Sequence, residues 1–290
     1  MSKDILSVIQ TNMSTFSKGQ KLIAGFILES YDKAAFMTAS RLGKTVNVSE
    51  STVVRFAAEL GYDGYPAMQK ALQEMIRSKL TSIQRIEVSN DRIGNQDILS
   101  MVMQSDIEKI RMTLEETDRA SFRQAVDAIL SAHRIYILGV RSAAALADFL
   151  GFYFNLIFDN IVLVHTTSAS EIFEQLLRVG PEDVVIGISF PRYSSRTVKA
   201  MRFAKDRGAN VIALTDSEAS PLAEAATETL LAKSDMASFV DSLVAPLSLV
   251  NALIVAVGRR RNEDVEQIFA DLEQIWSEYG VYEQVEEENH

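Results

Sequence analysis

The sequence contains no cysteine. That excludes disulfides, thiolate nucleophiles and cysteine-ligated metals. Histidine is nearly as scarce: His133, His165 and His290 are not spaced as a metal site, and neither a metal nor another cofactor is expected. The N-terminal residues MSKDILSVIQ hold no apolar run long enough for a signal peptide or a membrane span. The expectation is a cytoplasmic protein without a membrane partner. Repeats and low-complexity segments are also missing, apart from the acidic stretch Glu283–Glu288, which reads as a solvated tail. What remains is a chain of 290 residues, 47% apolar, enough for two domains with real cores.

Charge is unevenly spread. The net charge is −10, yet residues 1–85 carry 11 Lys+Arg against 7 Asp+Glu, a net of +4. Residues 86–290 carry 18 against 32, a net of −14. A basic lobe on an acidic chain is an electrostatic footprint suited to phosphate contact.

Within that lobe Met37–Leu60 reads as a helix, a tight turn and a second helix. Gly43 is expected to end the first helix by taking a positive φ. Ser49 is the expected N-cap of the second, with Val48 and Val53 spaced as a hydrophobic staple. Val53, Phe56, Ala57 and Leu60 form its inner face, and Gly61 its stop. Ser51, Thr52 and Arg55 fall on the opposite side near the N-terminal end, where a recognition helix meets base edges. Lys44 and Ser49 are placed near phosphates. Ile5–Met13 and Lys18–Glu29 supply earlier helices, and Met68, Leu72, Met75, Ile76 and Leu80 mark a later one. Tyr62 and Tyr65 suit either contact with the DNA backbone or closure of the bundle core. The expected first domain is an all-α helix–turn–helix bundle over residues 1–81.

Residues 82–96 are polar without sustained periodicity and are expected to be an interdomain linker. Asp97–Leu114 and Arg119–Ser131 read as helices. The stripe Ile98, Val102, Ile107, Ile110 and Leu114 would pack on the second domain or on a partner subunit. From Arg134 the pattern changes. Five apolar strands, at 134–140, 161–165, 183–190, 210–216 and 228–233, alternate with helices, and two long helices, Asp241–Arg259 and Asn262–Tyr279, follow. Residues 97–290 are therefore expected to form an α/β domain with a five-stranded parallel sheet covered on both faces.

Ligands of such sheets bind beyond the carboxyl ends of the strands. Gly139, Arg141 and Ser142 end the first strand. Gly139 would let backbone approach a ligand, and Ser142 would start the next helix and add a hydroxyl to its N-terminal N–H groups. Ser189, Arg192, Tyr193, Ser194 and Ser195 follow the third strand, with Arg192 suited to a bidentate phosphate contact. His165-Thr166-Thr167-Ser168 is a third polar strand end. Singly, Ser142 and Ser195 read better as N-caps and Arg192 as a surface ion-pair partner. Together they favour a phosphorylated small molecule.

The segments TASRLGKTVNVSESTVVRFAAELGYDGYPAMQKAL, GVRSA and ISFPRYSSRT, in that order, resemble the RpiR (MurR/RpiR) transcriptional regulators. These join a helix–turn–helix domain to a sugar isomerase (SIS) domain. The resemblance covers almost the whole chain. It implies a dimeric or tetrameric regulator of a carbohydrate-metabolism operon, responding to a phosphosugar and binding double-stranded DNA at an inverted repeat. SIS domains commonly carry Ser-x-Ser-Gly-x-Thr after the third strand. Here Ser189 matches the first Ser, Pro191-Arg192 stands where Ser-Gly is expected, and Ser194 replaces Thr. The site loses a hydroxyl and a flexible backbone and gains a cation. Arg192 is expected to grip the phosphate, and a sugar acid or another phosphorylated metabolite becomes an alternative ligand. No catalytic residue is assigned. Two other functions stand beside this one. A phosphosugar isomerase would need a base such as Glu171 or His165. A protein-binding module would use the basic lobe on protein instead of DNA.

Overall fold

The computed structural model describes residues 5–76, 80–93, 97–165, 168–236 and 239–282. Thr166, Thr167, the acidic stretch Glu283–Glu288 and the end of the expected linker, 94–96, lie outside these residues. Two compact units emerge: Met1–Met103 with Asp235–Asp241, and Gln104–Ser234 with Ser242–His290.

The first unit is built of helices: α1 Ile5–Thr11, α2 Lys18–Glu29, α3 Tyr31–Ala34, α4 Ala39–Thr45, α5 Glu50–Glu59, α6 Gly64–Ile76 and α7 Ser82–Ile93. Its core gathers Ile9, Ile23, Ile27, Leu42, Val53, Phe56, Met68, Leu72 and Ile76, all essentially without solvent exposure. Phe16 and Phe56 meet edge to face at 5.1 Å, a favoured aromatic geometry. Three side chains of α6 reach the loop before α4. Tyr65 Oη and Gln69 Nε2 each donate to the Met37 carbonyl at 2.8 Å, and Gln73 Nε2 donates to Ala35 at 2.8 Å. Tyr65 therefore closes the core, and its burial pushes the phenol pKa up to about 12.

The described part of the expected linker is helical. Residues 82–93 form α7, whose Ile83 and Ile86 face solvent while Arg85 and Ser89 are buried. Arg85 bonds Asp241 at 2.7 Å, so an ion pair holds this helix where an apolar stripe usually would. The next helix, α8 Ile98–Glu116, is turned likewise. Lys109 and Thr113 are buried, whereas Ile98, Ile107, Ile110 and Leu114 are exposed.

In the second unit α9 Arg119–Ser131 leads into a sheet of β1 Ile135–Gly139, β2 Ile161–Leu163, β3 Val184–Ile188, β4 Asn210–Thr215 and β5 Glu228–Leu231. All neighbours pair in parallel, in the order β2-β1-β3-β4-β5. The connecting helices are α10 Ala144–Ile157, α11 Ala169–Gln175, α12 Ser195–Asp206 and α13 Pro221–Ala225, followed by α14 Val244–Arg260 and α15 Asn262–Glu278. Side chains alternate between faces with the strand period of two. Ile135, Ile137, Val184 and Ile186 pack with α9, α10 and α14. Tyr136, Leu138, Val185 and Val211 pack with α11, α12 and α13. Strand order reverses between β1 and β3, which opens a crevice beyond their carboxyl ends. Among the described residues no helix is long and apolar enough to cross a membrane.

Candidate functional site

The turn between α4 and α5 is made differently from the sequence expectation. Gly43 sits inside α4, and Asn47, at φ 56°, takes the left-handed position after it. Asn is among the few residues besides glycine that tolerate this conformation. Val48 N–H donates to the Gly43 carbonyl at 2.9 Å and Asn47 N–H to Lys44 at 3.4 Å, a Schellman ending. Gly43 is required for a different reason: a Cβ there would lie 2.8 Å from the Val48 carbonyl oxygen. The missing side chain lets the turn fold tightly against its helix. Helix α5 ends as expected on Gly61 (φ 87°), with Tyr62 N–H donating to Ala57 and Gly61 N–H to Ala58.

Ser49 is the N-cap of α5, its Oγ accepting from Thr52 N–H at 3.3 Å. The same oxygen lies 2.8 Å from both Ser51 Oγ and Thr52 Oγ1. Val53, Phe56 and Ala57 are buried; Lys44, Ser49, Ser51 and Arg55 are exposed and Thr52 is half-buried. The five expected DNA contacts are thus split between the end of α4 and the outer face of α5. Two cations nearby were missed by the sequence reading. A Cβ on Gly19 would lie 3.3 Å from Thr52 Cγ2, so the start of α2 runs beside the start of α5. Lys18 and Lys21, exposed in the first turn of α2, are brought close to that end. Their signal was the capping box Ser17–Gln20, which marks a helix start among basic residues.

The second site is a cleft of about 630 Å³ at the strand-order reversal. Gly139, Val140, Arg141 and Ala144 line it from the β1 side, Val164 and His165 from β2, and Arg192, Tyr193, Ser194, Ser195 and Arg196 from the β3–α12 connection. Of the expected ligand residues, six are therefore brought together: Gly139, Arg141, Arg192, Tyr193, Ser194 and Ser195. Gly139 lets the chain fold back sharply, because a Cβ there would lie 2.5 Å from the Ala143 carbonyl oxygen. Ser142 lies exposed in a single 3₁₀ turn, Arg141–Ala143, and is not among the lining residues. Helix α10 starts later than expected, with Ala143 at the N-cap position.

Ser189 is buried and is not among the lining residues. Its Oγ accepts from Ser194 N–H at 3.0 Å and so pins the connecting loop. Ser194, not Ser195, caps α12, accepting from Thr197 N–H at 3.3 Å. Tyr193 Oη donates to Asp216 Oδ1 at 2.8 Å, which holds the ring at the end of β4. Arg141 has φ 60° and Arg192 φ 65°. Both are in the left-handed region that ordinarily selects glycine. Arg196 was missed as a site residue. It stands in the first turn of α12, where the helix dipole disfavours a cation unless an anion is near. His165 Nε2 lies 3.5 Å from Asp148 Oδ1, both well exposed. Glu171 is exposed in the first turn of α11 and does not line the cleft. Among the described residues no three His, Cys, Asp or Glu side chains are grouped to hold a metal.

The arrangement is a helix–turn–helix unit joined in one chain to a parallel α/β unit with an anion-suited crevice. Residues 3–79 match the model for the helix-turn-helix domain of the rpiR family, and residues 128–256 match the SIS domain model. The sugar isomerase domain of an RpiR transcription factor from Sphaerobacter thermophilus is 30% identical. The match covers 62% of this chain and 99% of that one, with a TM-score of 0.59. The transcriptional regulator HexR of Pseudomonas aeruginosa is 24% identical over 91% of this chain and 92% of that protein. NanR of Vibrio vulnificus, solved in complex with ManNAc-6P, shares the fold at 23% identity over 95% of this chain and 98% of that one, TM-score 0.59. The chain belongs to the RpiR family of helix-turn-helix transcriptional regulators.

Proposed function

We propose that the chain binds double-stranded operator DNA through α5 and that a phosphosugar-type effector in the cleft controls that binding. Residues 1–81 serve DNA, 82–96 connect, and 97–290 serve the effector. Ser51, Thr52 and Arg55 read base edges, and Lys44 and Ser49, joined by Lys18 and Lys21, approach phosphates. A homodimer or homotetramer presents two copies of α5 to an inverted repeat. The setting is the cytoplasm and the regulated genes belong to carbohydrate metabolism.

The observation that carries the effector half is the pair of left-handed arginines. Strained backbone is kept where the surroundings and a function require it. Arg192 occupies the place where SIS domains carry glycine, and it keeps the glycine-like φ of 65°. The turn is therefore retained at a steric cost while a guanidinium is added to the cleft. Arg192, Arg196 and the N–H groups of α12 suit a phosphate. NanR, alike in fold, was solved with ManNAc-6P, and the reading extends that ligand class to this cleft.

The chain acts as a regulator and not as an enzyme. An isomerase would need a base beside the substrate carbons; Glu171 lies off the cleft lining, and His165 with Asp148 is the remaining candidate pair. The test is thermal unfolding with phosphosugars, free sugars and sugar acids, followed by turnover assays on any compound that binds. A stabilising shift with a phosphosugar, absent with its free sugar and without turnover, is expected. At 100 times the dissociation constant the shift corresponds to roughly 2.7 kcal/mol. Turnover would replace the regulatory reading of the cleft with the enzymatic one.

A further inference from the structure

The outer face of α5 carries an apolar side chain that packing does not explain. At about 100° per residue, Ser51 and Ala58 run down the middle of the exposed arc, with Arg55 on one flank and Val54 on the other. All four are exposed, while Val53, Phe56 and Ala57 turn to the core. Val54 is 42% exposed. A β-branched residue is a poor choice for a solvated helix position. Its restricted χ1 costs helix propensity, and its methyl groups gain no burial there.

The neighbouring β-branched residues are engaged elsewhere. Val53 is fully buried. Thr52 has its hydroxyl 2.8 Å from Ser49 Oγ, and its methyl carbon faces Gly19, where a Cβ would lie only 3.3 Å away. Val54 is thus the β-branched side chain that α5 leaves open to a partner. It is continuous with Ser51 and Arg55, the residues that meet base edges in the function proposed above. The major groove presents hydrogen-bond donors and acceptors together with one apolar group, the C5 methyl of thymine.

We infer that Val54 reads the C5 methyl of an operator thymine by apolar contact in the major groove. This rests on the DNA reading of α5 and adds a base to it. Adjacent Cα atoms are about 3.8 Å apart, and successive bases of one strand about 3.4 Å. The thymine therefore lies at or beside the base pair that Arg55 reads. Arg55 supplies hydrogen-bond donors, and Val54 supplies hydrocarbon. A cytosine at the same place lacks the methyl group and turns its N4 amino donor towards that hydrocarbon, at the cost of a hydrogen bond.

The experiment starts from a duplex selected from a random library by the full-length protein. Each thymine is then replaced singly by deoxyuridine, which differs only in lacking the methyl group, and affinity is measured by anisotropy. With the unaltered protein, one thymine per half-site is expected to lose about three- to fourfold on replacement, the scale of one buried methyl group. In the Val54→Ala protein that position should become indifferent to the methyl group, the ratio falling towards one. Val54→Thr, which keeps one of the two methyl groups, should retain part of the sensitivity. Val54 is exposed, so both variants leave the core of the first unit intact. An unchanged pattern of deoxyuridine effects in Val54→Ala, or no effect at any thymine with the unaltered protein, overturns the inference while the DNA reading of α5 stands. If no sequence is enriched from the library, that reading fails and the inference with it.

Discussion

Arg141 and Arg192 adopt the same left-handed backbone, at φ 60° and 65°, beyond the carboxyl ends of two adjacent parallel strands, and both line one cleft. Each position would suit glycine better, since a side chain there crowds the following carbonyl. Glycine at position 192 should therefore separate stability from binding. Arg192→Gly is expected to raise the stability of the second unit by up to about 1 kcal/mol while weakening effector binding at least about tenfold. Calorimetric unfolding and ligand titration on the same protein check this. A less stable variant with intact binding would reverse the assignment.

The exposed face of α5 predicts two kinds of DNA phenotype. Arg55→Ala should relax sequence specificity at one base position, costing about 1–3 kcal/mol on the preferred site only. Lys18→Ala or Lys21→Ala should weaken binding to all duplexes alike and lower the salt slope by about 1. Binding isotherms on specific and scrambled duplexes at several salt concentrations distinguish them. A uniform loss for Arg55→Ala would turn that residue into a phosphate contact.

Gly43→Ala adds a Cβ 2.8 Å from the Val48 carbonyl oxygen, where backbone and not a flexible side chain is in the way. The turn must open, at about 1–3 kcal/mol. DNA affinity should fall with it, and effector binding should persist because the cleft lies in the other unit. Normal DNA affinity with unchanged unfolding would contradict this account of the turn.

Burial pushes the Tyr65 phenol up to about 12 from its ordinary value near 10. A group whose folded pKa is raised stabilises the fold fully below its unfolded pKa and loses that contribution as pH rises through the folded one. Stability of the first unit should therefore decline between about pH 10 and 12, by roughly 2–3 kcal/mol in all. Tyr65→Phe should remove this share of the pH slope and cost about 1 kcal/mol at neutral pH through the lost bond to Met37. Denaturant midpoints across that range measure both effects.

Much of this architecture was legible because burial and periodicity coincide. The strands Ile135–Gly139 and Val184–Ile188 are wholly buried apolar runs, and α5 divides cleanly into a buried and an exposed face. Helix α7 was not legible, because Arg85 and Ser89 are buried while Ile83 and Ile86 face outward. A reading that seeks an apolar stripe cannot anticipate a helix held by an ion pair with Asp241, 156 positions away in sequence. In the cleft, residue types marked the strand ends correctly. Backbone sign did not show, because nothing in the letter Arg announces a positive φ at 141 or 192. Ser189 and Ser194, expected as ligand hydroxyls, also accept from backbone N–H groups, which the residue letters do not show: one pins the loop and the other caps α12.

The most direct test of the account is operator affinity with and without effector, measured by anisotropy on an inverted-repeat duplex selected from a random library. Saturating effector is expected to change the operator dissociation constant by at least about fivefold, and operator should change effector affinity by the same factor, as linkage demands. Arg192→Gln should abolish the response. An operator dissociation constant that is identical at zero and saturating effector would contradict the claim that the cleft governs the DNA-reading helix.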